Sequence, residues 1–371
     1  MTRRQVPLRP ALLITGGFGF IGQALVRELL RDNPVIDASE IRIFDIHSPT
    51  IISADPRVRF IKGDIRDYGA LAVAMKGVDA VFHLASMVDW GTHKPQTVYE
   101  INTDGTAGAL KASQEAGVSA FIHTSSLDAV ITTKPLRNVD ESIPYPARYP
   151  NAYCGSKAEA EKLVFAANGQ GGMRTVSLRP SSVWGEADPY HISALVNLAK
   201  SVPYVRIGDG SAVQQLVYVG NLAHAHLAAC REILEAAAEG HESTCSGKPY
   251  FITDGPAENF FHFFDRIVEK SGYQIRPANL WIPRRLMLLA GILAESLAWL
   301  IRPMVRWNPK VSRFAVNYTC NDFTYTSAAA ERDFGFIPVY TIGQAMSRTI
   351  DWFRNNETVN PPVITASPEK E

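Results

Sequence analysis

Tyr153 and Lys157 lie four positions apart in the segment YCGSK. If this segment is helical, both side chains lie on one face of the helix. A phenol has a pKa of about 10, which is too high for a base at neutral pH, but a neighbouring ammonium group stabilises the phenolate and lowers that pKa. The pair therefore predicts a tyrosine that acts as a proton acceptor beside a lysine.

Hydroxyl side chains follow the apolar run FIHT in the segment TSS, and Ser126 is the last of them. At the carboxyl end of a strand, the Ser126 hydroxyl would face a bound ligand and orient a carbinol or carbonyl oxygen. A Tyr-x-x-x-Lys pair alone is common and is more often a surface pair on a helix. The catalytic interpretation therefore depends on the elements around these residues.

Short apolar runs alternate with helix-length segments between residues 11 and 124. Strands separated by helices form βαβ units, which indicates an α/β fold with a doubly wound parallel sheet and a ligand at the carboxyl ends of its strands. Helices are expected at 21–31, 69–76 and 97–116. The expected strands are Ala11–Thr15, Ile41–Asp45, Val58–Lys62, Ala80–Leu84 and Ala120–Thr124.

The first strand, ALLIT, leads directly into a glycine-rich turn that contains Gly16, Gly17, Gly19 and Gly22, and a helical pattern follows. Such glycines let the backbone approach a pyrophosphate, whose charge the helix N-terminus stabilises. The second strand ends in Asp45, where a carboxylate suits the hydroxyls of an adenine ribose and repels a 2′-phosphate. NAD is therefore expected rather than NADP. The alternative is that the glycines only tighten a turn between strand and helix and that Asp45 is an ordinary acidic residue of a loop.

Asp64, in KGDIRD, comes just after the third strand. There its side chain and the next backbone N–H, that of Ile65, could meet the adenine edge. An equally weighted alternative is that Asp64 caps the helix that follows.

Composition narrows the class of protein. The 371 residues carry 37 Lys+Arg and 37 Asp+Glu, so no net field attracts a nucleic acid. Hydrophobic residues make up 46% and charged residues 20%, as in globular proteins with a core. Four scattered cysteines without metal-ligand spacing indicate reduced thiols in the cytoplasm, and the arginine-containing N-terminus has no secretory signal pattern.

The regular alternation weakens after about residue 185. This change predicts a nucleotide-binding domain over 10–185, with returning segments around 214–230 and 250–254, and a smaller mixed substrate lobe over 186–355. Helices are expected in that second half at 193–201, 221–237 and 258–270, and residues 356–371 form a polar, flexible tail.

An apolar segment, RRLMLLAGILAESLAWLIRPMVR, occupies residues 284–306. Its body from Leu286 to Ile301 is too short to span a bilayer and contains Glu295. The flanking Arg284, Arg285, Arg302 and Arg306 favour an interfacial helix or a lid over a lipid-like pocket. The alternative is a buried helix of the substrate lobe.

Motifs spread over nearly residues 11–353 resemble the extended short-chain dehydrogenase/reductase superfamily, which implies a Rossmann-type fold. The narrower resemblance is to the 3β-hydroxysteroid dehydrogenase/isomerase family, including sterol-4-carboxylate 3-dehydrogenases. The superfamily motifs are TGGFGFIG (15–22), GDIRD (63–67), VFHLAS (81–86), INTDGT (101–106), HTSS (123–126), YCGSK (153–157) and LRPSSVWG (178–185). The family motifs are FDI (44–46), DESIPY (140–145), LVYVGNLAHAHLAA (216–229), SGKPYFITDG (246–255) and FTYTSAAAERDFGFIP (323–338).

The resemblance implies a catalytic set of Ser126, Tyr153 and Lys157, in which Lys157 also holds the nicotinamide ribose. Arg179 and Pro180 would begin the loop beside the nicotinamide amide. Gly220 departs from the family pattern, which usually has Asp at this position. The cofactor-binding set that follows is Gly16, Gly19, Phe20, Ile21, Gly22, Asp45, Asp64, Ile65, His83, Ala85, Asn102, Tyr153, Lys157 and Pro180.

The activity that the resemblance implies is NAD-dependent oxidation of the 3β-hydroxyl of a steroid or sterol-like substrate, with or without decarboxylation of a 4-carboxysterol. Tyr153 would take the hydroxyl proton, helped by Lys157 and the oxidised nicotinamide. Two alternatives remain: a nucleotide-sugar epimerase or dehydratase on the same scaffold, and a catalytically silent protein that senses NAD. The chain is expected in the cytoplasm, with peripheral membrane contact through 284–306 and homodimer formation both compatible with the pattern.

Overall fold

A parallel sheet of seven strands organises the computed structural model, which describes residues 9–48, 54–89, 93–200, 203–301 and 311–356. Three pairs of short parallel strands lie outside this sheet in the described ranges. The strands are β1 (Ala11–Thr15), β2 (Glu40–Asp45), β3 (Val58–Lys62), β4 (Ala80–His83), β5 (Ala120–Thr124), β6 (Leu136–Val139), β7 (Arg174–Pro180), β8 (Ser182–Trp184), β9 (Arg206–Ile207), β10 (Leu216–Tyr218), β11 (Pro249–Ile252), β12 (Trp281–Ile282) and β13 (Phe323–Tyr325).

Helices cover both faces of the large sheet, whose strand order is β11-β7-β5-β4-β1-β2-β3. This is the doubly wound arrangement expected from the alternating pattern. The α-helices are α1 (Phe20–Leu29), α2 (Tyr68–Ala74), α3 (Pro95–Tyr99), α4 (Gly105–Ala116), α5 (Ala152–Ala166), α6 (Ile192–Lys200), α7 (Val219–Glu239), α8 (Phe260–Lys270), α9 (Arg284–Ile301), α10 (Arg313–Cys320), α11 (Ala328–Phe334) and α12 (Ile342–Asn355).

The core lies on the two faces of this sheet, and β1 shows why. Leu12 and Ile14 pack into the cluster that also holds α1 and α7, whereas Leu13 packs into the cluster on the opposite face with α2 and α4. Side chains alternate between the faces of a strand, so a central parallel strand must be apolar at successive positions. The run ALLIT is buried throughout for this reason.

The five expected strands of the first half are confirmed to within one residue at their ends. The expected helix 97–116 is instead divided, because a π-helical turn at Glu100–Asp104 separates α3 from α4. A π-turn inserts a residue and rotates the side chains after it. Here Asn102 lies in that turn and is 2% exposed.

Two later segments of the chain pack against elements of its first half. Strand β11 pairs in parallel with β7 at the edge of the large sheet, and α7 packs against α1 and β5. The position Gly220, which departs from the family pattern, lies at the start of α7. A Cβ atom there would lie 2.5 Å from the Tyr218 ring and 2.9 Å from the Tyr340 ring. Aromatic packing therefore fills the place of the usual aspartate.

A carboxylate elsewhere in the sequence, that of Asp254, stabilises the start of α7. Asp254 Oδ2 accepts hydrogen bonds from the Tyr218 backbone N–H at 2.8 Å and from Asn221 Nδ2 at 2.7 Å. The Asn221 amide also donates to the Tyr340 carbonyl and accepts from the Tyr340 backbone N–H. The chain therefore joins α7 to its C-terminal segment without an acid at position 220.

The apolar segment forms α9, an 18-residue helix about 27 Å long. Only Gly291 is buried in it, so the alternative of a buried helix is wrong. Glu295, the charge that interrupts the apolar run, pairs with Arg313 of α10 at 2.6 Å. No helix among the described residues is long and apolar enough to cross a membrane. Arg302, Arg306 and the tail from 357 onward lie outside the described residues.

Candidate active site

Helix α5 positions the Tyr153–Lys157 pair. The Asn151 side chain caps the helix by accepting the Cys154 backbone N–H at 2.9 Å, which places Tyr153 in the first turn. Tyr153 is half-buried, whereas Lys157 is 3% exposed. Cys154 is fully buried and burial raises the pKa of its thiol, so it is a packed residue rather than a reactive one.

The hydroxyl of Ser126 lies at the end of β5, where a short 3-10 turn over Leu127–Ala129 begins. Ser126 Oγ accepts the Asp128 backbone N–H at 3.1 Å and donates to Asp128 Oδ2 at 2.8 Å. Ser126 also lies close enough to the Tyr153 phenol to lower the pKa of that phenol. Ser125 differs, because its buried hydroxyl has no hydrogen-bond partner among the described residues. Ser126 is therefore the serine of this pair that interacts with Tyr153.

The pKa of Tyr153 departs from the expectation. Burial, and next the Asp128 carboxylate, raise this pKa well above its ordinary value, while the Ser126 hydroxyl lowers it only in part. The net shift in the protein alone is upward, whereas the i, i+4 spacing of Tyr153 and Lys157 predicts a lowered pKa. The physical reason is that burial of the phenol and the Asp128 carboxylate outweigh the groups that stabilise a phenolate.

Lys157 Nζ donates to the Thr124 carbonyl at 2.6 Å and lies 3.4 Å from His123 Nε2. Burial lowers the pKa of Lys157 to about 8, although Glu161 and Asp128 oppose this shift. Burial also keeps the His123 imidazole neutral, since its pKa lies well below the ordinary value. The ammonium group is therefore held between a carbonyl and a neutral ring.

The glycine turn has the shape that a pyrophosphate requires. A Cβ at Gly16 would lie 2.8 Å from the Ala85 backbone, and one at Gly22 would lie 2.5 Å from the backbone of the turn itself. Gly19 is exposed and caps α1 without a side-chain hydrogen bond, so the first N–H groups of the helix, including those of Phe20 and Ile21, have no intrahelical partner. The turn therefore fits an anion at the helix N-terminus.

Asp45 ends β2 beside this turn and is 6% exposed. Its Oδ2 accepts the Phe18 backbone N–H at 3.0 Å, and its Oδ1 accepts the His47 backbone N–H at 2.9 Å. Both bonds hold the carboxylate charge next to the glycine turn. This placement fits the ribose hydroxyls of NAD.

Asp64 lies in the turn after β3, but it does not cap α2. Asp67 is the cap, since its side chain accepts the Ala70 backbone N–H at 3.0 Å. Asp64 instead pairs with Arg66 at 2.6 Å, and this bond lowers the pKa of its carboxyl. The Ile65 side chain is buried against Gly105, so only the backbone of Ile65 is left to contact an adenine.

His83 and Asn102 have structural partners. The His83 ring lies 2.9 Å from Thr15 Oγ1 and 3.0 Å from Thr106 Oγ1, so both its nitrogens have hydrogen-bond partners within the protein. Asn102 donates to Ser156 Oγ at 3.0 Å and accepts the Met87 backbone N–H at 2.7 Å. It therefore ties the loop after β4 to α5 from inside the π-turn, rather than from a helix terminus.

Pro180 ends β7 and pairs with Ile252 of β11. The preceding Arg179 is 2% exposed and pairs with Glu161 of α5 at 2.5 Å, while the Tyr145 hydroxyl donates to the same carboxylate at 2.6 Å. The Arg179 side chain is therefore directed into the core and fixes α5 against the sheet.

The sequence interpretation missed Asp128, whose carboxyl is bonded to Ser126. The signal was present, because a carboxylate two residues after a strand-end serine often folds back on it. Burial raises the pKa of Asp128 to about 6, while the Ser126 hydrogen bond and the charges of His191 and Lys157 oppose the shift.

The fold defines the structural class of this protein. A dTDP-glucose 4,6-dehydratase from Streptomyces venezuelae, solved with NAD bound, has the same fold with a TM-score of 0.70 at 23% identity, over 93% of this chain and 97% of that one. The chain is therefore a Rossmann-type α/β protein with a mixed C-terminal part.

The family follows from the sequence comparisons. The model of the 3-beta hydroxysteroid dehydrogenase/isomerase family matches residues 13–282, and the chain belongs to this family. A 3beta-hydroxysteroid-dehydrogenase/decarboxylase of Arabidopsis thaliana is 32% identical over 94% of this chain and 81% of its own length. A mouse 3 beta-hydroxysteroid dehydrogenase type 7 is 32% identical over 93% and 96% respectively.

The two adjacent serines make a matched pair for unfolding experiments. Ser126→Ala removes a donor from a buried carboxyl and a cap from a backbone N–H, so it should lower the free energy of unfolding by ~1–3 kcal/mol. Ser125→Ala removes only an unpartnered hydroxyl and should change that free energy by less than about 0.5 kcal/mol. Urea unfolding of both variants measures the difference, and equal losses would contradict the described hydrogen bonds.

Proposed function

We propose that the protein oxidises the 3β-hydroxyl of a steroid or sterol-like substrate with NAD. Membership in the family over most of the chain carries this proposal. The proposal is also supported by three residues that lie near the nucleotide-binding turn: Ser126, Tyr153 and Lys157.

NAD would lie across the carboxyl edge of the sheet, where β1, β4 and β5 end. The glycine turn and the free N–H groups of Phe20, Ile21 and Gly22 would hold its pyrophosphate. Asp45 would bind the adenine ribose, and the Asp64–Ile65 backbone would meet the adenine. The backbone around Ala85 and Pro180 would border the nicotinamide half, with Lys157 at its ribose.

Ser126 would orient the substrate hydroxyl, and Tyr153 would take its proton. The bound NAD supplies an acceptor for the hydride and a positive charge near the phenol. Because burial and Asp128 raise the pKa of Tyr153, the protein alone favours the protonated phenol. A phenolate is present only above that raised pKa, so we expect oxidation to become faster as the pH rises.

Two observations separate this activity from the alternatives. The exposed apolar helix α9 suits a lipophilic substrate better than a sugar nucleotide. A silent NAD sensor would not need a serine next to the Tyr153 phenol. A screen of NAD reduction with sterols, 4-carboxysterols and UDP-sugars separates the three, and carbon dioxide release from the 4-carboxysterols identifies decarboxylation.

Tyr153→Phe keeps the ring but removes the proton acceptor. Turnover should fall by ~10²–10⁴-fold, the range for an acid–base group, while NAD still binds. Steady-state NADH formation measures the loss, and Tyr149→Phe, just before α5, is the control. Near-normal turnover of Tyr153→Phe would refute the mechanism.

Asp45 should select NAD because its charge opposes a 2′-phosphate. The double variant Asp45→Ser with Ile46→Arg should raise the ratio of kcat/KM for NADP to that for NAD on the order of 10²-fold, since like charges in contact cost several kcal/mol. Ile46 is 53% exposed, so an arginine there is tolerated, and Ile46→Arg alone is the control. A wild-type preference for NADP would show the assignment of Asp45 to be wrong.

We propose further that α9 rests on an anionic membrane surface. Its apolar face consists of Leu286, Leu289, Ile292, Leu293, Leu297, Trp299 and Leu300, all exposed. Arg285 is exposed at the start of the helix, and Arg302 and Arg306 follow it in the sequence. An apolar face with basic ends and an interfacial tryptophan is typical of a helix that lies in the headgroup region.

Leu289→Asp with Leu293→Asp should release the protein from anionic liposomes, because it places two charges at the centre of the α9 apolar face. Both leucines are more than half exposed, so NAD binding should survive. Val73→Asp with Val339→Asp adds the same charge at exposed positions elsewhere. Co-sedimentation decides the question, and a wild-type protein that stays in the supernatant would exclude membrane contact. Cytoplasmic location and homodimer formation remain predictions.

A further inference from the structure

A row of polar side chains crosses the large sheet on the side that α4 and α5 cover. Thr15 of β1, His83 of β4, His123 of β5 and Ser177 of β7 stand opposite one another in the strand register, and all four are buried. Central parallel strands are normally apolar at such positions, and a buried polar group needs a hydrogen-bond partner. The partners of this row therefore indicate what the row is for.

The two histidines of the row have different partners. Both ring nitrogens of His83 lie beside hydroxyl groups, those of Thr15 and Thr106. His123 Nδ1 lies 3.0 Å from Ser177 Oγ, but its Nε2 faces the Lys157 ammonium at 3.4 Å. His123 therefore connects the polar row to the candidate active site.

These contacts determine which nitrogen of His123 carries the hydrogen. An ammonium group has three donors and no acceptor, so Nε2 must accept and cannot itself be protonated. The hydrogen of the neutral ring is then on Nδ1, which donates it to Ser177 Oγ. Burial, and next the Lys157 charge, lower the pKa of His123 well below its ordinary value, which is consistent with a neutral ring.

The Lys157 ammonium uses two of its three N–H groups in the described contacts. One donates to the Thr124 carbonyl at 2.6 Å, and the second donates to His123 Nε2. Thr124 is itself fixed from α7, because its hydroxyl lies 2.6 Å from His226 Nε2, while His226 Nδ1 lies 2.8 Å from the Leu222 carbonyl. Both acceptors of the ammonium are thus held by further contacts, and one N–H group is left for a bound molecule.

We infer that His123 is a positioning residue for Lys157: it accepts the second hydrogen bond of the ammonium group and thereby leaves the third N–H group for the nicotinamide ribose. This inference rests on the proposed function, which supplies the cofactor. Without His123, the buried ammonium would keep only the Thr124 carbonyl as partner. Its charged form would then be less stable, because burial of an ionised group is costly when its hydrogen bonds are not made.

Other groups around Lys157 and its partners also carry or could carry a charge. Burial lowers the pKa of Lys157 to about 8, and two carboxylates oppose this shift. Burial keeps the other two histidines neutral, since it lowers the pKa of His83 to about 3 and that of His226 to about 4. The full set is Glu161 and Tyr153 on α5, Asp128 after β5, Arg179 on β7, His83 on β4 and His226 on α7. Because His123 is neutral, an uncharged replacement changes the hydrogen bonding of Lys157 and leaves the charge of the site as it is.

Asparagine and glutamine make a matched pair of replacements at position 123. Both are polar and uncharged, but the glutamine side chain is one bond longer, so its oxygen reaches the position of Nε2 and accepts from Lys157. The asparagine side chain ends at the position of Nδ1, beside Ser177. Nuclear magnetic resonance of protein labelled with carbon-13 at the lysine ε-carbons measures the pKa of Lys157, and Lys157→Arg identifies its signal.

We expect His123→Asn to lower the pKa of Lys157 by about one pH unit, because the lost hydrogen bond is one to a charged group. His123→Gln should keep this pKa within about 0.3 pH unit of the wild-type value. An unchanged pKa in His123→Asn, or equal shifts in both variants, would overturn the inference.

The pH profile of the reaction provides a second test. The value of kcat/KM reports ionisations of the free protein. The ratio of kcat/KM for NAD in His123→Asn to that in the wild type should fall roughly five- to tenfold between about pH 6 and about pH 8.5, because the ammonium is lost at a lower pH. A merely structural role of His123 would instead lower kcat/KM by the same factor at every pH, and that result would overturn the inference.

The wild-type protein tests the inference even if neither variant folds. Long-range proton–nitrogen spectra show which ring nitrogen of His123 carries the hydrogen. We expect it on Nδ1 at neutral pH, and a hydrogen on Nε2 would overturn the inference. Absence of steroid oxidation by the wild type would instead refute the proposed function, since neither the spectra nor the pKa of Lys157 depends on a steroid.

Discussion

The hydrogen bond from the Lys157 ammonium to the Thr124 carbonyl, at 2.6 Å, is the contact on which the candidate site depends. A buried charge must have a hydrogen-bond partner. Helix α5 therefore cannot move along β5 without exposing this ammonium group or leaving it without a partner. Thr124 is the last residue of β5, and Ser126 follows it directly in the turn. The same bond therefore fixes the distance between the strand end that carries Ser126 and the helix that carries Tyr153.

A second buried contact holds the far side of the same helix. Arg179 of β7 pairs with Glu161, one turn after Lys157, and the Tyr145 hydroxyl shares that carboxylate. Breaking a buried pair by removing one partner is strongly destabilising, so α5 is anchored to two neighbouring strands. Rigidity of this kind is what a proton acceptor needs, because a small displacement between Tyr153 and Ser126 would separate the groups that must act together.

The pattern of the sequence predicts the nucleotide-binding half well, because strands buried on both faces leave short continuous apolar runs and amphipathic helices leave a period of 3.6. The glycine turn and Asp45 follow from the same local signals. What could not be predicted depends on packing between distant segments. Three features are of this kind: the inserted residue of the π-turn at Asn102, the internal partners of His83 and the Thr124 carbonyl as partner of Lys157.

Electrostatic properties were the hardest to predict. The i, i+4 spacing of Tyr153 and Lys157 indicates a lowered tyrosine pKa, but that spacing says nothing about burial or about Asp128, which dominate in the folded chain. Likewise the residues of α9 are apolar enough for either a buried or an exposed helix. Only the structure shows that most of them face outward, because Gly291 and Glu295 direct the helix onto α10 along one edge.

The central claim is that this site removes a hydride from C3 of a 3β-hydroxysteroid. The most direct measurement uses a 3β-hydroxysteroid with deuterium on C3, incubated with the protein and NAD and analysed by mass spectrometry. The account predicts deuterium in the reduced cofactor, an unlabelled 3-ketosteroid, and little reaction of the 3α epimer. Deuterium that stays on the steroid, or reduction of NAD by nucleotide sugars alone, would contradict it.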